Sequence, residues 1–202
     1  QPDVVLHMDR SNPVNYAMRG ALYPLNEFSD FESVLDRFID GAEEPYIYNG
    51  KCYAIPDVQN FYIMFYRKDV LDQLGVEVPK TWEEFKEVLA IIQRKNMNAY
   101  FPYVKPTGIT GSIGMLNLFG TFLTQNNFSV YNNERNANLL ANDDIINVFD
   151  DFTKYYTEYK IPKTADFFNR FKLGTCPIGI VSYTTYNTLK AAATEIDGKW
   201  GI

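Results

Sequence analysis

Between Gly50 and Phe85 the spacing of hydrophobic and polar positions changes several times, and each change predicts an element. Tyr53 to Pro56 and Phe61 to Tyr66 are aromatic and β-branched runs of strand type, parted by the polar joint Asp57-Val58-Gln59-Asn60. Asp69 is placed to cap a short helix that Gly75 ends. Val76 to Pro79 reads as an extended link. Thr81 and Glu84 then form a capping box for a helix whose apolar face is Trp82, Phe85, Leu89 and Ile92.

Upstream, the pattern predicts a short buried strand at Val4 to Leu6 and a helix from Asn15 to Leu22. A second helix, Phe31 to Ile39, carries Phe31, Val34, Leu35 and Phe38 at helical spacing, and Gly41 to Pro45 breaks it. Downstream, Ala99 to Val104 reads as a strand, Pro106 to Gly114 as a loop, and Met115 to Thr124 as a helix with Phe119, Phe122 and Leu123 inward. Phe128 to Leu140, with Asn turn candidates, reads as a hairpin. Asp143 is placed to cap a long helix on which Ile145, Phe149, Phe152, Tyr156 and Tyr159 step by four, three, four and three. A shorter helix at Asp166 to Leu173, a buried strand at Pro177 to Ser182 and a helix at Tyr186 to Ala193 complete the series. Strands alternating with helices predict an α/β fold, and no internal repeat competes with that reading.

The order of these signals is specific. The stretch YAIPDVQNFYIMFYRKDVLDQLGVEVPKTWEEF resembles the extracellular solute-binding proteins of ABC transporters, in the group that includes maltodextrin- and other sugar-binding proteins. PDVVLHMDRSNPVNYAMRGALYPLNEF resembles that family's strand, ligand-contacting turn and helix, and NRFKLGTCPIGIVSYTTYNTL its late strand and aromatic turn. The resemblance implies a periplasmic-binding-protein-like α/β lobe of type II, a mixed sheet flanked by helices, with one complete second lobe plus part of the first. Residues 1–57 would be the partial first lobe, 58–60 a hinge strand, 61–198 the second lobe and 199–202 the start of a returning hinge strand. Because Gln1-Pro2-Asp3 enters directly on a strand pattern and Lys199-Trp200-Gly201-Ile202 stops at another, the expectation is a fragment of a longer exported protein. The implied function is reversible capture of a carbohydrate and its delivery to a membrane permease.

Composition agrees with a folded domain. The chain has 202 residues, 46% of them hydrophobic and 16% aromatic, enough for a core. A formal net charge of -6 and the lack of any Lys/Arg-rich run argue against nucleic acid as a partner. The longest apolar runs, such as Pro177 to Val181, fall far short of the roughly 20 residues that span a bilayer. Cys52 and Cys176 are too few for a disulfide framework and read as isolated thiols.

Several residue groups carry candidate binding chemistry. Asp9-Arg10 supplies carboxylate acceptors beside a fork of donors, which suits vicinal sugar hydroxyls; the same pair could equally cap the next helix. The family resemblance places direct sugar contact at these two positions. Gln59 and Asn60 offer amides at the joint, and Asn60 stands where the maltodextrin-binding relative has a carboxylate. Phe61 could stack on a sugar face or pack under the joint. Tyr183, Thr184, Tyr186 and Asn187 open the helix after the buried strand and combine rings with polar groups. The resemblance makes this turn the source of a stacking aromatic, whereas in a chain with 15 Tyr and 15 Phe each ring has core packing as its alternative. The Gly108 to Met115 loop resembles the second lobe's cleft segment and lacks the lysine of a phosphate-binding loop.

Catalysis finds little support, and no cofactor is implied. His7 is the only histidine, no metal-ligand spacing occurs, and Asp9 with Asp57 is the one carboxylate pair that a glycosidase could draw on. The rival readings are the same fold holding a peptide, polyamine or iron, and a sensor or interaction module whose partner is a protein. Exposed lobe surface would also permit self-association.

Overall fold

The computed structural model describes residues 3–8, 12–58, 61–102, 113–132 and 137–202. The chain forms two compact units, Gln1–Gln59 and Asn60–Ile202.

In the first unit, helix α1 (Asn12–Met18) buries Pro13 and Ala17. It starts and stops earlier than the pattern of Asn15 to Leu22 predicts, because Gly20 turns into the left-handed region at φ 68° and reverses the chain. Helix α2 (Phe31–Leu35) is shorter than expected. Phe31 is buried, but Ile39 is 66% exposed. The far end of that stripe is only half-buried at Phe38 and exposed at Ile39, and tertiary burial is what sustains a short helix. Val4 to Leu6 is not a buried strand: the three side chains are 50% to 75% exposed. A strand needs a ladder partner, and among the described residues of this unit the only ladder is a hairpin of β1 (Ile47–Tyr48) and β2 (Lys51–Cys52). Its turn is Asn49-Gly50, with φ of 49° and 73°, the two positive values that a type I′ turn requires. Tyr53 to Pro56, expected as a strand, runs on from this hairpin without pairing in a ladder.

The second unit is built on a four-stranded mixed sheet. The central strand β3 (Tyr62–Arg67) leads into α3 (Lys68–Leu74), which ends at Gly75 in the left-handed region. Helix α4 (Trp82–Arg94) follows, with the predicted capping box formed: Thr81 Oγ1 accepts from the Glu84 N–H, and the Glu84 carboxylate accepts from the Thr81 N–H. Then come β4 (Ala99–Tyr100), α5 (Ile113–Gln125), a single antiparallel bridge Tyr131 to Asn138, and α6 (Asp143–Thr157). The chain closes with α7 (Phe167–Lys172), β5 (Ile178–Ser182), α8 (Thr185–Ala192) and β6 (Trp200–Gly201). The strand order is β4-β5-β3-β6; β4 runs parallel to β5, and β3 is antiparallel to both β5 and β6.

Alternation along β3 separates two cores. Tyr62, Met64 and Tyr66 pack with α4, α5 and α6 around Leu89, Ile92, Phe101, Leu118 and Tyr155. Ile63 and Phe65 pack on the other face with Phe167, Phe171, Leu189 and Trp200. Phe167 lies so close to the sheet that a Cβ on Gly179 would sit 2.5 Å from its ring. On α6 the buried positions are Ile145, Phe152 and Tyr155, while Phe149, expected inward, is 50% exposed. Asn142, not Asp143, caps that helix by accepting from the Asp144 N–H.

Asp69 also departs from expectation. Lys68 already begins α3, and the Asp69 carboxylate instead takes both Nε (2.8 Å) and Nη2 (2.7 Å) of Arg67. The Arg67 Nη1 donates to the carbonyls of Phe171 and Lys172 at 2.7 and 2.9 Å, tying the end of α7 to the end of β3. Arg67 is only 6% exposed, and the guanidinium holds the Asp69 carboxyl below its ordinary pKa.

Candidate functional site

Parallel β4 and β5 both point their carboxyl ends toward one edge of the sheet, and antiparallel β3 begins at that same edge. In open α/β sheets this is where ligands are held. The chain turns sharply after β5. The Thr184 N–H donates to Ser182 Oγ (3.3 Å), the Ser182 and Thr184 hydroxyls share a 2.5 Å hydrogen bond, and the Tyr186 N–H donates to the Tyr183 carbonyl (2.9 Å). The Tyr183 N–H reaches across to the Phe61 carbonyl at 2.9 Å, extending the β3–β5 pairing by one residue.

That register brings three rings together. Phe61 stacks on Tyr183 with centroids 5.0 Å apart and planes 17° apart, and Tyr183 stacks on Tyr186 at 5.7 Å and 12°. Tyr186 meets the edge of Trp200 at 5.5 Å, and Trp200 packs on Phe65 at 5.8 Å. The row runs from Phe65, fully buried, to Phe61, 54% exposed. Thr184 and Asn187 are exposed beside it. On this edge lies a hollow of about 470 Å³ lined by hydroxyl-bearing Tyr62, Tyr100, Ser182, Thr185 and Thr188, with Asp166 on its rim. Asp166 caps α7 by accepting from the Asn169 N–H (3.1 Å) and its amide (2.6 Å), bonds that lower its pKa and keep it anionic at neutral pH. A second hollow of about 530 Å³, mostly apolar, lies between the sheet and the start of α4 and takes in Met64, Trp82 and Leu118.

The structure thus unites Phe61, Tyr183, Thr184 and Tyr186, with Asn187 exposed on the first turn of α8. Asp9, Arg10, Gln59 and Asn60 lie outside the described residues. So does the cleft loop up to Ser112, and from Ile113 the chain is already helical. In the first unit, His7 Nδ1 and the Asp57 carboxylate pair at 2.8 Å, and both side chains are exposed. Sequence reasoning missed Tyr62, Tyr100, Asp166, Thr185 and Thr188; their one signal is that each sits at the sheet edge or at the start of a helix. Cys52 and Cys176 are free and buried, one in each unit; burial raises both thiol pKa values, that of Cys176 to about 12. Among the described residues no group of His, Cys, Asp and Glu is arranged to hold a metal ion, and no helix is long and apolar enough to cross a membrane.

Comparison with known proteins bears on the family and the fold. The family model of bacterial extracellular solute-binding proteins matches residues 1–202. An arabinooligosaccharide-binding protein of Halalkalibacterium halodurans is 31% identical over 68 residues, 33% of this chain and 15% of the relative. The maltose-bound MalE3 of T. maritima matches 94% of this chain and 48% of its own, with a TM-score of 0.75 and 19% identity. UgpB of Mycobacterium tuberculosis, in complex with glycerophosphocholine, matches 93% of this chain and 47% of its own, at a TM-score of 0.69 and 20% identity. These structures share the fold, and the chain spans about half their length.

Proposed function

Because the chain belongs to the family of bacterial extracellular solute-binding proteins, we propose that it serves solute capture in an ABC importer, holding a carbohydrate for delivery to the membrane permease. The family consists of binding proteins, and the mechanism is reversible and non-covalent. In this reading residues 1–57 contribute part of a first lobe, 58–60 a hinge strand, 61–198 a second lobe and 199–202 the start of a returning strand; the protein acts outside the cytoplasmic membrane. Two lobes close on the ligand by bending at the joint.

One observation supports the reading above the rest: a row of stacked rings ends in an exposed Phe61 at the end of the sheet where β5 finishes, and the turn that follows β5 carries the Ser182 and Thr184 hydroxyls. Sugars present C–H faces to aromatic rings and hydroxyl rims to short polar side chains, and this edge offers both. Asp9, Arg10, Gln59 and Asn60 complete the proposed contacts.

A second reading keeps the site and changes the solute to a polar non-sugar, in line with the glycerophosphocholine of the UgpB neighbour. Thermal shift with arabinotriose, maltotriose, chitotriose, glycerophosphocholine and spermidine tests both, on this chain and on a full-length parent. A ligand at 100 times its Kd adds about 2.7 kcal/mol. Stabilisation by a sugar supports the proposal; a response to glycerophosphocholine or spermidine alone transfers the site to that solute class. Silence throughout with the parent refutes solute capture and leaves the interaction-module reading.

A further inference from the structure

We infer that Phe61 is the ring on which the ligand's sugar unit stacks, and that Tyr183 and Tyr186 are positioning residues that hold it in place; this rests on the carbohydrate reading above. Tyr183 is the obvious platform by sequence, since it leads the aromatic turn. The geometry points elsewhere. Tyr183 is an inner ring of the row, half-buried, with Phe61 and Tyr186 both stacked on it nearly parallel. Among the described residues Phe61 has Tyr183 as its one stacking partner, is 54% exposed and meets no ring on its other face.

The row also explains how an exposed phenyl ring stays fixed. Its backbone carbonyl is held by the Tyr183 N–H at 2.9 Å. Its ring rests on Tyr183, which rests on Tyr186, which abuts Trp200, which is 8% exposed and packed on fully buried Phe65. A platform held this way loses little freedom when a ligand lands on it, which favours binding. Phe61 has no polar tip, so it selects a sugar unit with a continuous patch of C–H groups on one face. The hydroxyls around that patch fall to Thr184 and Asn187, both exposed just after Tyr183. Phe61 directly follows the joint at 57–60, so ligand contact there acts at the entrance of the second unit.

The test is isothermal titration with arabinotriose and maltotriose, in the full-length parent, of wild type, Phe61→Ala, Phe61→Trp, Tyr183→Phe, Tyr183→Ala and the double variant Phe61→Ala/Tyr183→Ala. Expected results are at least tenfold weaker binding for Phe61→Ala, near wild-type affinity for Phe61→Trp and Tyr183→Phe, and an intermediate loss for Tyr183→Ala. The double variant should bind no worse than Phe61→Ala alone, because Tyr183 acts through Phe61. Sugar binding within twofold of wild type in Phe61→Ala, with Tyr183→Ala abolishing it, overturns the assignment and leaves the carbohydrate reading standing. Losses that simply multiply in the double variant overturn the positioning role. Wild type binding neither sugar overturns the carbohydrate reading and this inference together. Because Phe61 is largely exposed, its substitution should leave the melting temperature within a degree or two, which separates lost binding from lost folding.

Discussion

Replacing Arg67 by Met keeps an unbranched stem and removes four hydrogen bonds at once: two to the Asp69 carboxylate and two to the last carbonyls of α7. With one partner gone, a buried ion pair costs about 3–5 kcal/mol. Asp69 is 32% exposed and can recover water, which places the loss near the lower end, about 3 kcal/mol. For a domain of about 150 residues each kcal/mol moves Tm by roughly 2–4 °C, so Arg67→Met should melt roughly 6–12 °C below wild type. Asp69→Asn retains one acceptor and leaves the two carbonyl bonds untouched, so it should cost only about 1–2 kcal/mol. The pair also sets a pH dependence. The Asp69 carboxyl has a folded pKa below its ordinary 3.8, so the stability it contributes is fully present above 3.8 and is lost as pH falls below that value through the folded pKa. Calorimetry from pH 7 to pH 2 should show a steeper acid loss in wild type than in Asp69→Asn. Arg67→Met melting with wild type, or Asp69→Asn costing as much as Arg67→Met, would refute the assignment of the clamp.

Two further outcomes follow from packing. Gly179→Ala should destabilise by about 1–3 kcal/mol in urea titration, because the new methyl meets the Phe167 ring, and Phe167→Leu in the same chain should recover part of the loss. Tyr155→Phe should be neutral or stabilising by up to about 1 kcal/mol in the same titration, since the fully buried Tyr155 hydroxyl has no hydrogen-bond partner among the described residues and burial drives its pKa upward. A loss above 1 kcal/mol there would mean that the hydroxyl is bonded after all.

What could be read in the chain follows the range of the interactions. The capping box at Thr81 and Glu84 is local, and it formed as its spacing predicts. The Asn49-Gly50 turn is equally local, a two-residue hairpin signal that lies just before the run Tyr53 to Pro56, whose composition predicts a strand. On α6 the stripe through Phe149 and Tyr156 competes with one through Val148 and Tyr155, and only the neighbours α4 and α5 decide between them. Lys86 joins in that choice, pairing with Asp151 at 2.7 Å and lying 5.7 Å over the Tyr155 ring. In the candidate site, the Tyr183–Tyr186 spacing brings both rings to one side of the turn that opens α8, which is visible in sequence. That Phe61 joins them depends on Tyr62 pairing with Ser182, a long-range register that no local spacing reports.

The chain's two tryptophans fall on opposite sides of the sheet, Trp82 with the α4–α6 core and Trp200 with the α7–α8 core. Each layer therefore contains its own fluorophore. Trp82 stacks on Phe122 at 4.0 Å with its indole N–H held by Gln125, while Trp200 touches the aromatic row through Tyr186. Two single-tryptophan versions would make emission a separate channel for each layer. The Trp200 channel, three rings from solvent-facing Phe61 when counted along the row, doubles as an optical relay for events at the sheet edge.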